Sequence, residues 1–200
     1  GLGYTLVSDD TNGAEVVFDN DNAVDQAYTV HLAHGKITVT EEKPGKPGEA
    51  INPGKGSANY PDGTDKASLG KDVVRTITYK MTDGSKAPEG TSETLHFTAS
   101  KVIDKVTGQV LETTWSGSQD FTDVYSPVVK GYTPDQKVVS DKGITHDAED
   151  INREVTYSPV DQKAAVTYID DTTGKNLKVD KLKGVTNAKS GYTTKSSIDT

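Results

Sequence analysis

Short segments in which apolar and polar residues alternate recur along the whole chain, with turn signals between them. In residues 28–34, for example, Val30 and Leu32 alternate with His31 and Ala33. This period of two predicts half-buried β-strands, and the intervening Gly, Asp and Asn residues predict turns. The pattern predicts strands over residues 4–8, 15–18, 28–34, 37–40, 73–81, 94–104, 109–115, 121–129, 137–140, 151–157, 164–169 and 176–185.

Three segments depart from this pattern. Residues 43–64 are rich in Pro and Gly and have no hydrophobic period, which predicts an exposed loop or a linker, with a spacer favoured. Residues 146–151 are short and acidic and predict a turn or one helical turn. Residues 190–200 read as an N-cap region that enters a helix.

Composition limits the class of protein. Hydrophobic residues make up 32% of the 200, so each core must be small. The net charge of −8 argues against a nucleic-acid-binding protein and against binding to an anionic membrane by charge alone. No run approaches the eighteen apolar residues of a membrane-spanning helix. Cysteine is absent, which excludes a thiol nucleophile but identifies no compartment.

Internal repeats indicate a tandem organisation. The run from Thr76 to Gly84 matches the run from Ala165 to Gly174, and both place a strand before an Asp/Gly turn. The triplet Gly-Tyr-Thr occurs three times, beginning at Gly3, Gly131 and Gly191.

These segments resemble the Mub-type mucus-binding repeats of Gram-positive cell-surface adhesins. Residues 3–35, with Leu6-Val7-Ser8-Asp9-Asp10 and Tyr28-Thr29-Val30-His31-Leu32, resemble the closing half of a mucin-binding (MucBP, B1) domain. Residues 74–157, with Val102-Ile103-Asp104-Lys105-Val106-Thr107-Gly108, resemble the partner B2 domain. Residues 165–175 resemble the opening of the next MucBP domain.

The resemblance implies an α+β, β-dominated fold with β-grasp domains in tandem, of the ββαββ order found in ubiquitin-like proteins and protein L. It implies the second half of a B1 domain in residues 1–35, a B2 domain in residues 36–160, and the first half of the next B1 domain in residues 161–200. The resemblance further implies that much of the helix between the two halves is missing from these 200 residues. Because a two-stranded half cannot bury its apolar face alone, we expect the halves to pair, more readily between neighbouring molecules than within one.

No catalytic constellation is present. Ser/His/Asp order, a P-loop and a dinucleotide fingerprint are all absent, so we expect no enzyme and no cofactor. Asp19, Asp21 and Asp25 are spaced like the first ligands of a calcium loop, which makes calcium a candidate. Val24 and Val30 stand where an EF-hand needs Gly and Glu, so solvated turn carboxylates are favoured.

Other paired residues favour structural roles. His31 and His34 are three apart in a strand and point to opposite faces, which makes a shared metal site geometrically poor. Asp170-Asp171 reads as a turn and Glu41-Glu42 as a solvated pair.

Aromatic residues near turns are the candidates for ligand contact. Trp115, the sole tryptophan, is either a core anchor or a platform for stacking a glycan. Exposed tyrosines beside polar residues suit weak protein or sugar recognition. The candidate ligand-binding residues are Tyr79, Trp115, Tyr125, Tyr132, Tyr168 and Lys175.

The resemblance implies an extracellular adhesin repeat, part of a protein anchored to the cell wall, that binds mucin glycoproteins weakly and gains avidity by repetition. The similarity to protein L leaves an immunoglobulin-binding module as an alternative, and the tandem organisation leaves a purely structural stalk repeat. Expected partners are mucin glycans, immunoglobulins and neighbouring repeats, with no nucleic acid and no membrane insertion.

Overall fold

The computed structural model describes residues 2–198 and is almost entirely β-structure. It contains a short 3-10 helix at Ala67–Leu69, and no α-helix occurs within residues 2–198. The strands are β1 (Tyr4–Asp9), β2 (Val30–His34), β3 (Lys36–Thr40), β4 (Gly70–Met81), β5 (Thr91–Asp104), β6 (Val110–Trp115), β7 (Val124–Tyr125), β8 (Tyr132–Pro134), β9 (Val138–Val139), β10 (Ile151–Pro159), β11 (Asp161–Ile169) and β12 (Asn176–Val185).

The chain folds as two units. The first comprises the described residues up to Val73 together with Leu95–Gln119 and Gly143–Ala148. The second comprises Val74–Thr94, Asp120–Lys142 and the described residues from Glu149 onward.

In the first unit, β5 pairs antiparallel with both β3 and β6. The inward face of these strands supplies Val39, Ala99 and Ile103, which pack with Ile51 and Leu69 into one core cluster. The period of two predicts that Leu95, Phe97, Ala99 and Ile103 share one face of β5, and this is confirmed because all four are buried.

The Pro/Gly-rich segment 43–64 is a folded loop, so its interpretation as an exposed spacer is wrong. Its backbone closes on itself where the amide of Gly45 donates to the carbonyl of Thr64, and the amide of Ala58 donates to the carbonyl of Lys105. Ile51 is 6% exposed and Thr64 is fully buried. Composition reveals the missing period but not whether the loop folds back on a core.

In the second unit, β10 runs parallel to β4 and antiparallel to β8. The core cluster joins Ile77 and Met81 of β4 to Val155 and Tyr157 of β10, with Val139 of β9 beside them. As the alternation predicts, Arg75 shares the buried face of β4 with Ile77 and Met81.

Two predicted strands are wrong or shortened. Residues 15–18 form no strand, and Val17 and Phe18 are 75% and 90% exposed. Alternation reports amphipathic character, but a strand also needs a neighbour to accept its hydrogen bonds. Within residues 121–129 only β7 is a strand; Phe121 is buried and Val128 is fully exposed.

Residues 146–151 are predicted as a turn or one helical turn, and the turn is confirmed at their start. Residues 146 and 147 form a turn, closed by the hydrogen bond from the Ala148 amide to the Thr145 carbonyl. Residues 190–198 contain no helix, and the last two positions of that prediction lie outside the described residues. Residues 2–198 therefore contain β-strands but not the α-helix that the ββαββ order requires.

Each end of the chain forms a two-stranded antiparallel hairpin, β1–β2 in the first unit and β11–β12 in the second. The Gly of the Gly-Tyr-Thr triplet has a positive φ in both units: 94° at Gly3 and 85° at Gly131. A Cβ on Gly3 would lie 2.7 Å from the carbonyl oxygen of Lys105, and one on Gly131 would lie 2.6 Å from Cγ2 of Thr186. Two of the three triplets thus place their glycine at a close approach, whereas a Cβ on Gly191 would meet no atom within 4 Å.

Candidate functional site

Hydroxyl side chains form a polar sheet face on β3, β5 and β6. Thr40 lies directly opposite Ser100, and Ser100 directly opposite Thr114, so the three make one row across three strands. Since side chains two apart share a face, Thr98 and Ser116 extend the row along β5 and beyond β6. Thr98, Thr114 and Ser116 are exposed and Thr40 and Ser100 are half-buried.

Trp115 belongs to the opposite, core-facing side of β6. It packs against the core cluster of the first unit, and its ring stacks on His146 with centroids 4.5 Å apart and planes 5° from parallel. Its neighbour Thr114 points to the hydroxyl face, so the Trp115 ring lies on the other side of the sheet. These contacts favour the core anchor over the glycan platform, and ligand binding by Trp115 stays a prediction.

His96 is held between two carboxylates near the start of this face. Its Nδ1 lies 2.5 Å from Oδ1 of Asp72, and its Nε2 lies 2.7 Å from Oε2 of Glu41. The hydrogen bond to Glu41, followed in size of effect by the hydrogen bond to Asp72, raises the pKa of His96 above its usual 6.5. An imidazolium can donate to both carboxylates at once, whereas a neutral ring has one donor.

Arg75 is the buried charge of the second unit, with 1% of its side chain exposed. Its guanidinium donates to the carbonyl of Thr122 at 2.7 Å, to Glu93 at 3.1 Å and to Asp141 at 3.4 Å. It also lies 4.7 Å from the centroid of the Phe121 ring. The Arg75 guanidinium therefore binds three segments of the chain, at Glu93, Thr122 and Asp141.

Asp141 is the carboxylate at the centre of this cluster, because it accepts hydrogen bonds from Arg153 as well as from Arg75. The Arg153 hydrogen bond, with a smaller contribution from Arg75, lowers the pKa of Asp141 below its usual range. Because both arginines bind Asp141, this carboxylate belongs to the folded interior of the unit and is not a free site.

The hydroxyls of two candidate tyrosines, Tyr132 and Tyr168, make hydrogen bonds within the protein. The Tyr132 hydroxyl donates to Asp83 at 2.7 Å and accepts from Asn187 at 2.6 Å. The Tyr168 hydroxyl lies 2.7 Å from that of Tyr192 and accepts from the backbone amide of Lys195.

The remaining candidates differ in exposure. Tyr79 is half-buried against the core of the second unit, with its ring centroid 6.0 Å from that of Tyr157. Tyr125 is 76% exposed. Lys175 is exposed beside the turn that follows β11. Tyr79 and Tyr132 pack on the same core cluster, and Tyr125 is the one of these aromatic rings most open to solvent.

The three aspartates of the calcium candidate lie in an exposed loop between β1 and β2. The carboxylate of Asp19 accepts from the amide of Asp21, and that of Asp21 accepts from the amide of Ala23. Asp25 is exposed. Within residues 2–198, no three Asp, Glu, His or Cys side chains are arranged to hold a metal ion. Calcium binding by these aspartates stays a prediction.

The two strand histidines have separate environments. His31 is exposed, whereas Nδ1 of His34 lies 2.7 Å from Oδ2 of Asp104. This contact with His34, together with backbone amides, lowers the pKa of Asp104 to about 2.

Sequence reasoning did not single out the hydroxyl face or the clamp on His96. A signal for the face exists, since Thr98 and Ser100 repeat with a period of two, as do Thr114 and Ser116. No comparable signal exists for His96, because Glu41 and Asp72 meet it only when β3, β4 and β5 are folded.

Two family profiles match the chain in adjoining segments. The profile of the Muc B2-like domain matches residues 64–161, and the profile of the mucin binding domain matches residues 1–34 and 162–200. The chain belongs to the Mub-type mucus-binding repeats. This family is non-enzymatic, as the missing catalytic motifs predict.

Solved Mub structures resemble the chain over most of its length. The crystal structure of Mub-RV is 24% identical, covering 79% of this chain and 76% of that one, with a TM-score of 0.54. The type 2 repeat of the mucus binding protein MUB from Lactobacillus reuteri is 28% identical over the same shares, with a TM-score of 0.46.

A solved structure of one isolated MucBP domain is also similar to part of the chain. The MucBP domain of the adhesion protein from Pediococcus pentosaceus is 33% identical, covering 44% of this chain and 97% of that domain, with a TM-score of 0.38. No curated protein matches the chain. Residues 2–198 include no helix of the length and apolar character that crossing a membrane requires.

Proposed function

We propose that this Mub-type repeat is an extracellular adhesin module of a bacterial cell surface that binds mucin glycoproteins weakly and gains strength from repetition. The observation that supports this most is that both matched profiles belong to mucus-binding domains and together account for residues 1–34 and 64–200. The exposed hydroxyl face of the first unit offers the hydrogen-bonding groups that a glycan ligand needs.

The test is binding of the repeat to immobilised purified mucin. A single repeat is expected to bind with fast dissociation, and an array of three repeats to bind about 10²-fold more strongly or better. Enzymatic removal of the mucin glycans is expected to abolish both signals. Binding that survives complete deglycosylation would mean that the protein core of mucin is the partner.

We further propose that β1–β2 and β11–β12 are complementary halves of one β-grasp domain, joined between neighbouring repeats. One profile, that of the mucin binding domain, matches both segments. Leu6 lies opposite Leu32 in the first hairpin, and these residues are 63% and 56% exposed. In the second hairpin Leu177 and Val179 share a face and are 52% and 45% exposed.

The energetic reason for pairing is that an isolated two-stranded sheet is marginal in water. Burying apolar area contributes about 25 cal/mol per Å². A neighbouring hairpin would remove these faces from water and supply the missing partners for the strand edges.

A dilution series followed by light scattering tests the pairing. Association is expected to weaken on dilution and to be lost in Leu32→Glu, which places a charge in the apolar face. Ala33→Glu, on the opposite face of the same strand, is the matched control and is expected to associate normally. A wild-type protein that stays strictly monomeric at all concentrations would refute pairing between molecules.

Immunoglobulin binding is a second candidate, because the exposed edges of both hairpins suit addition of a strand from a partner. Separate pull-downs with Fab and Fc test it, and failure with both removes it.

Among the proposed ligand contacts, Tyr125 is the ring whose exposure best suits a direct role.

A further inference from the structure

A groove lies over the hydroxyl face of the first unit, with a volume of about 430 Å³. Its floor is the row of Thr and Ser side chains on β3, β5 and β6. Glu41 and Glu42 stand at the end of β3. The groove therefore combines small hydroxyl groups and two carboxylates.

Part of the polar lining is uncommitted. Within residues 2–198, the hydroxyls of Thr98 and Ser100 and the carboxylate of Glu42 make no hydrogen bond to another residue. The other hydroxyls have one partner each: Thr40 accepts from the amide of Lys43, Ser116 accepts from the amide of Thr98, and Thr114 donates to Glu112 at 3.4 Å. Glu41 is different, because His96 holds its carboxylate at 2.7 Å. The free groups converge on one concavity, where hydroxyls can both donate and accept and the Glu42 carboxylate can only accept.

We propose that this groove binds a neutral, polyhydroxylated saccharide. A sugar presents hydroxyls that donate to a carboxylate and exchange hydrogen bonds with Thr and Ser. A carboxylated or sulfated saccharide is disfavoured, because Glu42 carries the same charge and the chain has a net charge of −8.

This inference rests on the proposed function and names its ligand class and its place in the fold. The geometry of the sheet supports saccharide binding here. Thr40, Ser100 and Thr114 lie side by side on adjacent strands, which spaces their hydroxyls by about 4.8 Å. Such a row can engage several hydroxyls of one ring without any rearrangement of the backbone.

Titration of the full 200-residue chain by amide-resolved NMR, with galactose, N-acetylgalactosamine and N-acetylneuraminic acid as probes, tests the site. The two neutral sugars are expected to shift amides of residues 98–100 and 114–116 with millimolar affinity. The acidic sugar is expected to bind at least fivefold more weakly. Neutral sugars that shift no groove amide, or an acidic sugar that binds more tightly than both, would overturn the proposal.

The variant Thr98→Val/Thr114→Val removes two floor hydroxyls with little change in shape, and Val suits a strand. We expect binding of the neutral sugars to weaken about tenfold or more, since each lost hydrogen bond contributes roughly a factor of five to ten. The matched control is Thr38→Val/Thr113→Val, two exposed threonines on β3 and β6 that lie outside the groove lining. Equal affinity of the floor variant and this control would contradict the site.

Mucin binding by arrays separates this inference from the proposed function. If arrays of the floor variant bind mucin as well as wild-type arrays do, the groove is not the mucin site and the proposal fails, although the adhesin function stands. If wild-type arrays do not bind mucin but neutral sugars shift the groove amides, the groove proposal stands and the adhesin function fails.

Discussion

Replacing Arg75 by methionine tests whether the buried cation organises the second unit. Methionine keeps most of the unbranched stem and removes the guanidinium, together with its hydrogen bonds to Thr122, Glu93 and Asp141. Removing one partner of a buried ion pair costs about 3–5 kcal/mol, because the other charge is left uncompensated.

The contacts place Arg75→Met at the low end of that range. Asp141 keeps its hydrogen bonds to Arg153, and the side chain of Glu93 is 34% exposed, so water solvates part of its charge. We therefore expect a loss of about 3 kcal/mol in the free energy of unfolding, roughly a 100-fold change in the folding equilibrium.

Urea denaturation at pH 7, followed by far-ultraviolet circular dichroism, measures the change. The matched control is Lys142→Met, because Lys142 pairs with Asp123 and both side chains are more than 40% exposed. An exposed pair contributes about 0–1 kcal/mol. An Arg75→Met variant that loses less than 1 kcal/mol, or no more than the control, would refute the role assigned to the buried cluster.

Three further changes have expected outcomes. Gly131→Ala should destabilise the protein by about 1–2 kcal/mol more than Gly143→Ala in the same urea assay, because both have a positive φ but only the first places a Cβ 2.6 Å from Thr186; equal losses would contradict the close approach. The raised pKa of His96 stabilises the fold below pH 6.5, and this stability is lost as the pH rises through the folded-state pKa. His96→Gln should therefore cost more stability at pH 6 than at pH 9, and a pH-independent difference would count against the clamp. The pKa of Asp104 falls from 3.8 to about 2, so its contribution is present above pH 3.8 and lost as the pH falls towards 2; Asp104→Asn should flatten that part of the stability profile measured by acid titration, and an unchanged slope would show that the His34 contact does not form.

The strands that sequence predicts best are those whose limits are set locally. The strand Asn176–Val185 is predicted with both ends because Leu177 and Val179 alternate with polar residues and a turn signal stands at Gly174. The inward face of β5 follows from the same period of two. Residues 15–18 show the limit of this reasoning, since they contain the apolar run Val16-Val17-Phe18 but pair with no neighbouring strand.

The candidate site depends on contacts between distant segments, which a period cannot reveal. The hydroxyl row exists only because β5 pairs with β3 and β6 in a register that aligns Thr40, Ser100 and Thr114. The clamp on His96 likewise joins residues from three strands. The family resemblance identifies the kind of repeat, but register and burial decide which of its side chains remain free.

Binding of wild-type arrays to mucin, with and without its glycans, tests the central claim most directly. Biosensor traces should show that three linked repeats dissociate from native mucin far more slowly than one repeat, because each bound repeat holds the others near their ligands. After enzymatic deglycosylation the same arrays should give no signal. Arrays that fail to bind native mucin at micromolar concentration would contradict the assignment of this repeat as a mucin-binding adhesin module.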